Sequence, residues 1–228
     1  MTDKRRCVFG LFFAFTTSLL VSSADAHPHM FVDAQTRLVV NEQNQLIGLR
    51  TALVIDPLSS LYLLEANQVP PGATTLTEDQ RGVIADGMVS GLSLYDYFTE
   101  LRIDDKRVTF ASAHISDVSL QDNRQDNRQD NRVVAALNLI LPEPTDLRGR
   151  RIALAIYDPT YFTAIDTLGA PALPGSLSFC TTWLTKFRPA GLDSLTLAML
   201  SKLSREDIPE DTRIGARFAD WSTIECAA

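Results

Sequence analysis

The chain has 228 residues, 45% of them hydrophobic, and a net charge of −7 at neutral pH. That is enough chain for one ordinary domain with a true core. The negative balance argues against nucleic acid or anionic lipid as a main partner. Residues 1–26 read as a cleavable export signal: Lys4, Arg5 and Arg6 form a positive start, and Val8 to Val21 is apolar apart from Gly10 and Thr16-Thr17-Ser18. Ala24 and Ala26 supply the small residues of a cleavage site. The apolar run falls short of the roughly 20 residues needed to cross a bilayer, and no Cys follows it to carry a lipid anchor. The expectation is an exported single domain over residues 27–228, not membrane-spanning once trimmed.

Met30, Val32, Ala34, Thr36, Leu38 and Val40 alternate with His29, Phe31, Asp33, Gln35 and Arg37. This period of two predicts a strand with one buried side. Asn41 to Asn44 is a turn signal, and Leu46 to Ile55 predicts the returning strand of a hairpin, stopped by Asp56-Pro57. Leu58 to Asn67 has helical spacing and ends before Pro70-Pro71-Gly72. Thr77, as N-cap with Gln80 completing a capping box, predicts a second helix over Glu78 to Asp96. Strand signals follow at Phe98–Ile103, Val108–Ala113, His114–Leu120, Val133–Leu141, Arg151–Tyr157, Tyr161–Thr167 and Leu177–Thr185. Leu192, Leu195, Met199 and Leu203 are spaced as in a helix, and Phe218–Cys226 closes as a strand. The class predicted is α+β, mainly β: sandwich-like antiparallel sheets with two or three short helices.

Residues 121–132 are Gln-Asp-Asn-Arg repeated three times without an error. A period of four is too short for a solenoid unit, so this is read as a low-complexity loop, a solvated hairpin tip that lengthens cheaply. Cys7 leaves with the signal, so Cys180 and Cys226 remain. In an oxidising compartment they predict one disulfide.

His27, His29 and His114 all survive trimming. A chain beginning His27-Pro28-His29 offers a free α-amino group and two imidazoles to one metal ion, while Pro28 has no amide N–H to contribute. Such a chelate needs further ligands from the fold, and His114, Asp56 and Asp158 are the candidates. Imidazole-rich sites suit zinc, copper and nickel. Each candidate also has a plain structural reading. His27 and His29 read equally as a tail that binds nothing, His114 as a packed or surface residue, and Asp56 and Asp158, each before a proline, as turn initiators. No nucleophile elbow, H-E-x-x-H, glycine-rich phosphate loop or C-x-x-C is present. The expectation is a non-enzyme without an organic cofactor, ahead of a copper oxidase built on a histidine-brace-like pair at His27 and His29.

Four blocks carry a family resemblance. They are Ala26-His27-Pro28-His29-Met30-Phe31-Val32-Asp33, then Tyr97-Phe98-Thr99 ahead of Leu101-Arg102-Ile103-Asp104, then Tyr157-Asp158-Pro159-Thr160-Tyr161-Phe162, and last Gly215 with Phe218-Ala219-Asp220 and Cys226. Together they resemble the domain-of-unknown-function 1007 family, described as the periplasmic component of an uncharacterised ABC-type transport system and often encoded beside nickel/cobalt-type transporters. The resemblance implies a periplasmic accessory of divalent transition-metal transport (nickel, cobalt, zinc or copper) whose partner is a membrane transporter. A metal-free module docking on that transporter, through a surface such as the Leu192–Leu203 helix, is the competing reading. The matching positions are His27, His29, Asp158 and Tyr161, with Cys180 and Cys226 as the disulfide; Tyr157 and Pro159 complete the motif, and His114 matches none. Many members carry a calcium-loop-like stretch after the first helix. Here Glu65 to Asp79 lacks its spaced Asp/Asn ligands and central Gly.

Overall fold

The structure, a computed structural model, describes residues 28–125, 128–188 and 213–228. Strands β1 (Met30–Val40) and β2 (Leu46–Ile55) form the predicted hairpin, closed by Asn41, whose side chain accepts the N–H of Gln43 and Gln45. Val32, Ala34, Thr36 and Leu38 are buried while Phe31, Gln35 and Arg37 are exposed, as the alternation requires. Helix α1 (Pro57–Ala66) starts with proline at its first turn and Asp56 as N-cap. Helix α2 (Glu78–Ser93) carries the capping box of Thr77 and Gln80 in both directions.

The remaining strands are β3 (Thr99–Ile103), β4 (Lys106–Val108), β5 (Ser112–Gln125), β6 (Arg128–Thr145), β7 (Arg151–Ile156), β8 (Thr163–Thr167), β9 (Cys180–Thr185) and β10 (Trp221–Cys226). They make two five-stranded sheets, ordered β5-β6-β2-β1-β8 and β4-β3-β7-β10-β9. All neighbours are antiparallel except β1 and β8, which run parallel. Leu49, Leu53 and Leu137 from one sheet join Leu101, Leu154 and Ile224 from the other in a single core, with Leu64 and Ile84 from the helices. The predicted α+β, mainly β class is the one observed.

Three expectations need correction. The strand predicted over Val108–Ala113 is broken, because the chain leaves the second sheet after Val108 and enters the first at Ser112. The second helix stops at Ser93 rather than Asp96, since Asp96, Tyr97 and Phe98 all take left-handed φ. Within the described residues the Gln-Asp-Asn-Arg repeat is not a loop: its backbone pairs as strand, from Gln121↔Arg132 to Gln125↔Arg128. The helix predicted around Leu192–Leu203 lies outside the described residues.

The register makes one unit of the repeat equal to two residues on each strand. Removing a unit therefore shortens the two strands equally by a whole pleat and leaves the pairing of Leu120 with Val133 in register. Because the units are identical, an arginine still occupies the position of Arg132. That residue bonds Asp33 and the carbonyls of Val54 and Ile55, tying β6 to β1 and β2. Deleting one Gln-Asp-Asn-Arg unit is expected to change stability by less than about 1 kcal/mol. Deleting Asn131 and Arg132 instead would put Asp130 in the place of the arginine and cost more; urea unfolding of both deletions checks the contrast.

Cys180 and Cys226 stand directly opposite each other on β9 and β10 and are joined by a disulfide.

Candidate functional site at the sheet crossover

β7 belongs to the second sheet and β8 to the first, so residues 157–162 carry the chain from one sheet to the other. The crossover starts where the Tyr157 N–H donates to Phe98 O, 2.7 Å away. Asp158 then organises the turn from a buried position. Its Oδ1 accepts the N–H and the hydroxyl of Thr160, both at 2.8 Å, and its Oδ2 accepts the Thr163 N–H at 2.9 Å. Tyr161 sits at φ 58° in the left-handed region and lays its ring on Phe218, with centroids 3.9 Å apart. Phe162 O accepts the N–H of His29 at 2.9 Å, and Pro159 O that of Gly215 at 2.9 Å.

On the Tyr161 side lies a cleft of about 360 Å³, walled by Phe31, Asp33, Tyr161, Phe187, Phe218 and Asp220. Its rim is held by Lys186, whose Nζ donates to Asp166, to Thr167 O and to Asp220; the Phe187 N–H also donates to Asp220. Partial burial pushes the Lys186 pKa down, but the bonds to Asp166 and Asp220 outweigh it and the net shift is upward. Burial raises the pKa of Tyr161.

Beneath the crossover, Glu100 on β3 is 2% exposed and accepts bonds from Arg102, from Arg213 and from the Tyr157 hydroxyl. Burial pushes its pKa up, but the hydrogen bonds from Tyr157 and Arg102 and the positive charges of Arg102 and Arg107 prevail, leaving it below its ordinary value of 4.5. A carboxylate whose folded pKa is depressed contributes stability in full above its unfolded pKa and loses it as pH falls through the folded value. Stability is therefore expected to be level above about pH 5 and to fall on acidification below it, with Glu100→Gln flattening that slope while lowering the plateau. Urea unfolding between pH 3 and 7 measures both.

The structure separates the candidate ligands. Asp56 lies at the same end of the sheet as His29, but its carboxylate accepts the N–H of Phe31 through Oδ2 and those of Leu58 and Ser59 through Oδ1. Burial would raise its pKa; the bonds from Ser59, Phe31 and Leu58 more than reverse this. Asp158 is likewise spent on its own turn. His114 is exposed on edge strand β5, level through Asn138 and Arg50 with Arg37 of β1. That places it three strands across and about 25 Å along the sheet from His29, so these two cannot share an ion. His29 is fixed by its backbone, its ring packs against Phe162 with centroids 5.1 Å apart, and its Nε2 is buried. His27 lies outside the described residues. Among the described residues no three His, Cys, Asp or Glu side chains come together as a metal group. The five-residue ligand set therefore does not fit as one centre.

Sequence reasoning missed Glu100, Lys186 and Arg213. Glu100 had a faint signal, an acid inside an otherwise apolar and β-forming run; the other two had none, because their partners are far away in the chain.

A family model described as "Protein of unknown function (DUF1007)" matches residues 12–226. The chain belongs to the DUF1007 family. An uncharacterized protein of Haemophilus influenzae is 26% identical over 203 residues, covering 88% of this chain and 91% of that one. No solved structure matches. In this DUF1007 protein the four resemblance blocks, scattered over the whole chain, meet at the crossover: His29 on Phe162, Phe98 on Tyr157, Gly215 on Pro159 and Phe218 on Tyr161.

Proposed function

We propose that this DUF1007 protein is exported to the periplasm and serves as an accessory of a membrane transporter for divalent transition metals, docking on it as a metal-free module through the cleft beside Tyr161. The transporter link comes from the family resemblance. What supports docking over a five-ligand metal centre is that Asp56 and Asp158 each already accept three hydrogen bonds, while the cleft keeps a wall of aromatic rings for a partner's side chains. Phe31 at its mouth is 56% exposed, the kind of amphipathic rim that partner surfaces cover. No described helix is long and apolar enough to cross a membrane, so such a partner would be met from outside the bilayer by this part of the chain.

A photo-crosslinking residue at Phe31 or Phe187, in intact cells, is expected to capture an inner-membrane transporter identified by mass spectrometry. The same residue at Ile140, on the far region of the first sheet, should not. Equal capture from both places overturns the docking surface.

The second reading, metal binding through the trimmed start, is favoured by one observation: the His29 backbone is pinned to Phe162 O at the crossover. Here His27 and His29 bind the ion, with no help from Asp56, Asp158 or His114. Native mass spectrometry of the exported, untagged protein with zinc, nickel, cobalt or copper tests it. One ion bound, and lost in His27→Ala/His29→Ala, supports this reading; none bound, or one retained, refutes it.

A further inference from the structure

A second cavity, of about 320 Å³, lies across Asp158 from the cleft, and Val32, Asp158 and Thr163 line both. Its walls are Met30, Leu63, Met88, Leu92, Phe98 and Phe162, drawn from β1, both helices, the turn before β3 and the crossover. We propose that this cavity is a binding site for a neutral, hydrocarbon-like small molecule of about ten non-hydrogen atoms, at roughly 30 Å³ each. The proposal is independent of the docking reading.

Protein interiors are close-packed, and voids larger than a water molecule are few. This space opens to solvent on one side, and its apolar wall gains by taking an apolar guest out of water. The charge of the guest follows from the lining. Among the described residues Asp158 is the one charged residue lining the cavity, and its two oxygens already accept three hydrogen bonds. The Thr160 hydroxyl is spent on that same carboxylate. With a carboxylate and no cation in the wall, an anionic headgroup such as a fatty-acid carboxylate is repelled. With its strongest polar groups committed, the wall holds its guest by apolar burial.

Helix α2 and the turn before β3 cover this space. Asp96, Tyr97 and Phe98 hold φ of 52°, 56° and 55°, a run of three left-handed residues with no glycine among them. Such a turn is disfavoured for L-residues, and strain of this kind persists where surrounding structure holds it and collects at ligand sites. Here it delivers Phe98 to the cavity wall, with Tyr95 just ahead of it. α2, the other cover, buries only Ile84 and Leu92. At Gly91, which lines the cavity, an added Cβ would meet nothing within 4 Å.

The test uses the exported, trimmed protein and the neutral fluorophore 1-naphthylamine, which at about eleven non-hydrogen atoms matches the space. Saturable binding of one probe per chain is expected, with displacement by 1-decanol at a concentration at least tenfold below that needed of decanoate at pH 7. Met88→Trp, which fills the cavity, should weaken probe binding at least tenfold while far-ultraviolet circular dichroism is unchanged. Leu63→Trp repeats the test from α1 should the first variant unfold. Phe218→Ala, on the cleft side, should leave probe binding as it was and, by contrast, reduce transporter crosslinking. Absence of saturable binding, binding that survives both tryptophan variants, or decanoate displacing as well as decanol would each overturn the proposal.

Discussion

Replacing Gly215 by alanine is expected to lower stability by at least about 3 kcal/mol, or roughly 6–12 °C in Tm for a chain of this size. The Gly215 N–H donates to Pro159 O, and its Cα lies against the Asp158 peptide. An added Cβ would overlap Asp158 O and stand 2.8 Å from the Asp158 carbonyl carbon and 3.1 Å from the Pro159 carbonyl carbon. All three are backbone atoms, so no side chain can rotate away. The crossover cannot retreat either: Asp158 is tied to Thr160 and Thr163, and Tyr157 to Phe98 and Glu100. Either the Ile214–Phe218 turn lifts off, taking Phe218 from Tyr161, or the crossover breaks. Gly175→Ala is the control, because a Cβ there meets nothing within 4 Å; its change should stay within about 0.5 kcal/mol. Urea unfolding followed by tryptophan fluorescence decides the matter. A Gly215→Ala protein within 1 kcal/mol of its parent would show that the close packing on Asp158 is not real.

Removing the disulfide should cost still more. Cys180 and Cys226 are 46 residues apart, and both are buried. For a loop of that length the chain-entropy estimate is about 4 kcal/mol, or roughly 8–16 °C in Tm. Cys180→Ala/Cys226→Ala is the suitable pair, because alanine leaves no buried hydroxyl behind. The bridge fastens β10 to edge strand β9, which within the described residues has no strand on its other side. The end of the chain should therefore loosen first, visible as faster amide exchange in β9 than in β7. Addition of reductant to the parent should reproduce the shift. Loss of less than 3 °C in both experiments would mean that strand pairing alone holds the two segments together.

The blocks of the candidate site were legible as blocks. Tyr157 to Phe162 and Phe218 to Asp220 stand out in the chain, and the structure gathers them at one place. Their roles were not legible. Asp56 and Asp158 each precede a proline, a pattern that suits a metal ligand in a loop as well as a capping residue. Asp56 is decided by the Phe31 N–H, 25 residues away. Asp158 is decided by the Thr163 N–H at the start of a strand in the other sheet. Glu100, which no motif singles out, is the buried anchor for Tyr157, Arg102 and Arg213.

What the amino-acid order determined alone is the set of features that act between near neighbours. The two-residue alternation of β1, the limits of β2 and the capping box at Thr77 all belong here. Each depends on contacts a few residues apart, so a linear reading reaches it. The tertiary structure decided the rest: the transfer of the chain between sheets at Asp158, the conversion of the repeat from loop to strand, and the distance that parts His114 from His29. Those outcomes turn on hydrogen bonds between segments up to a hundred residues apart. No local periodicity carries a record of which partner will be met.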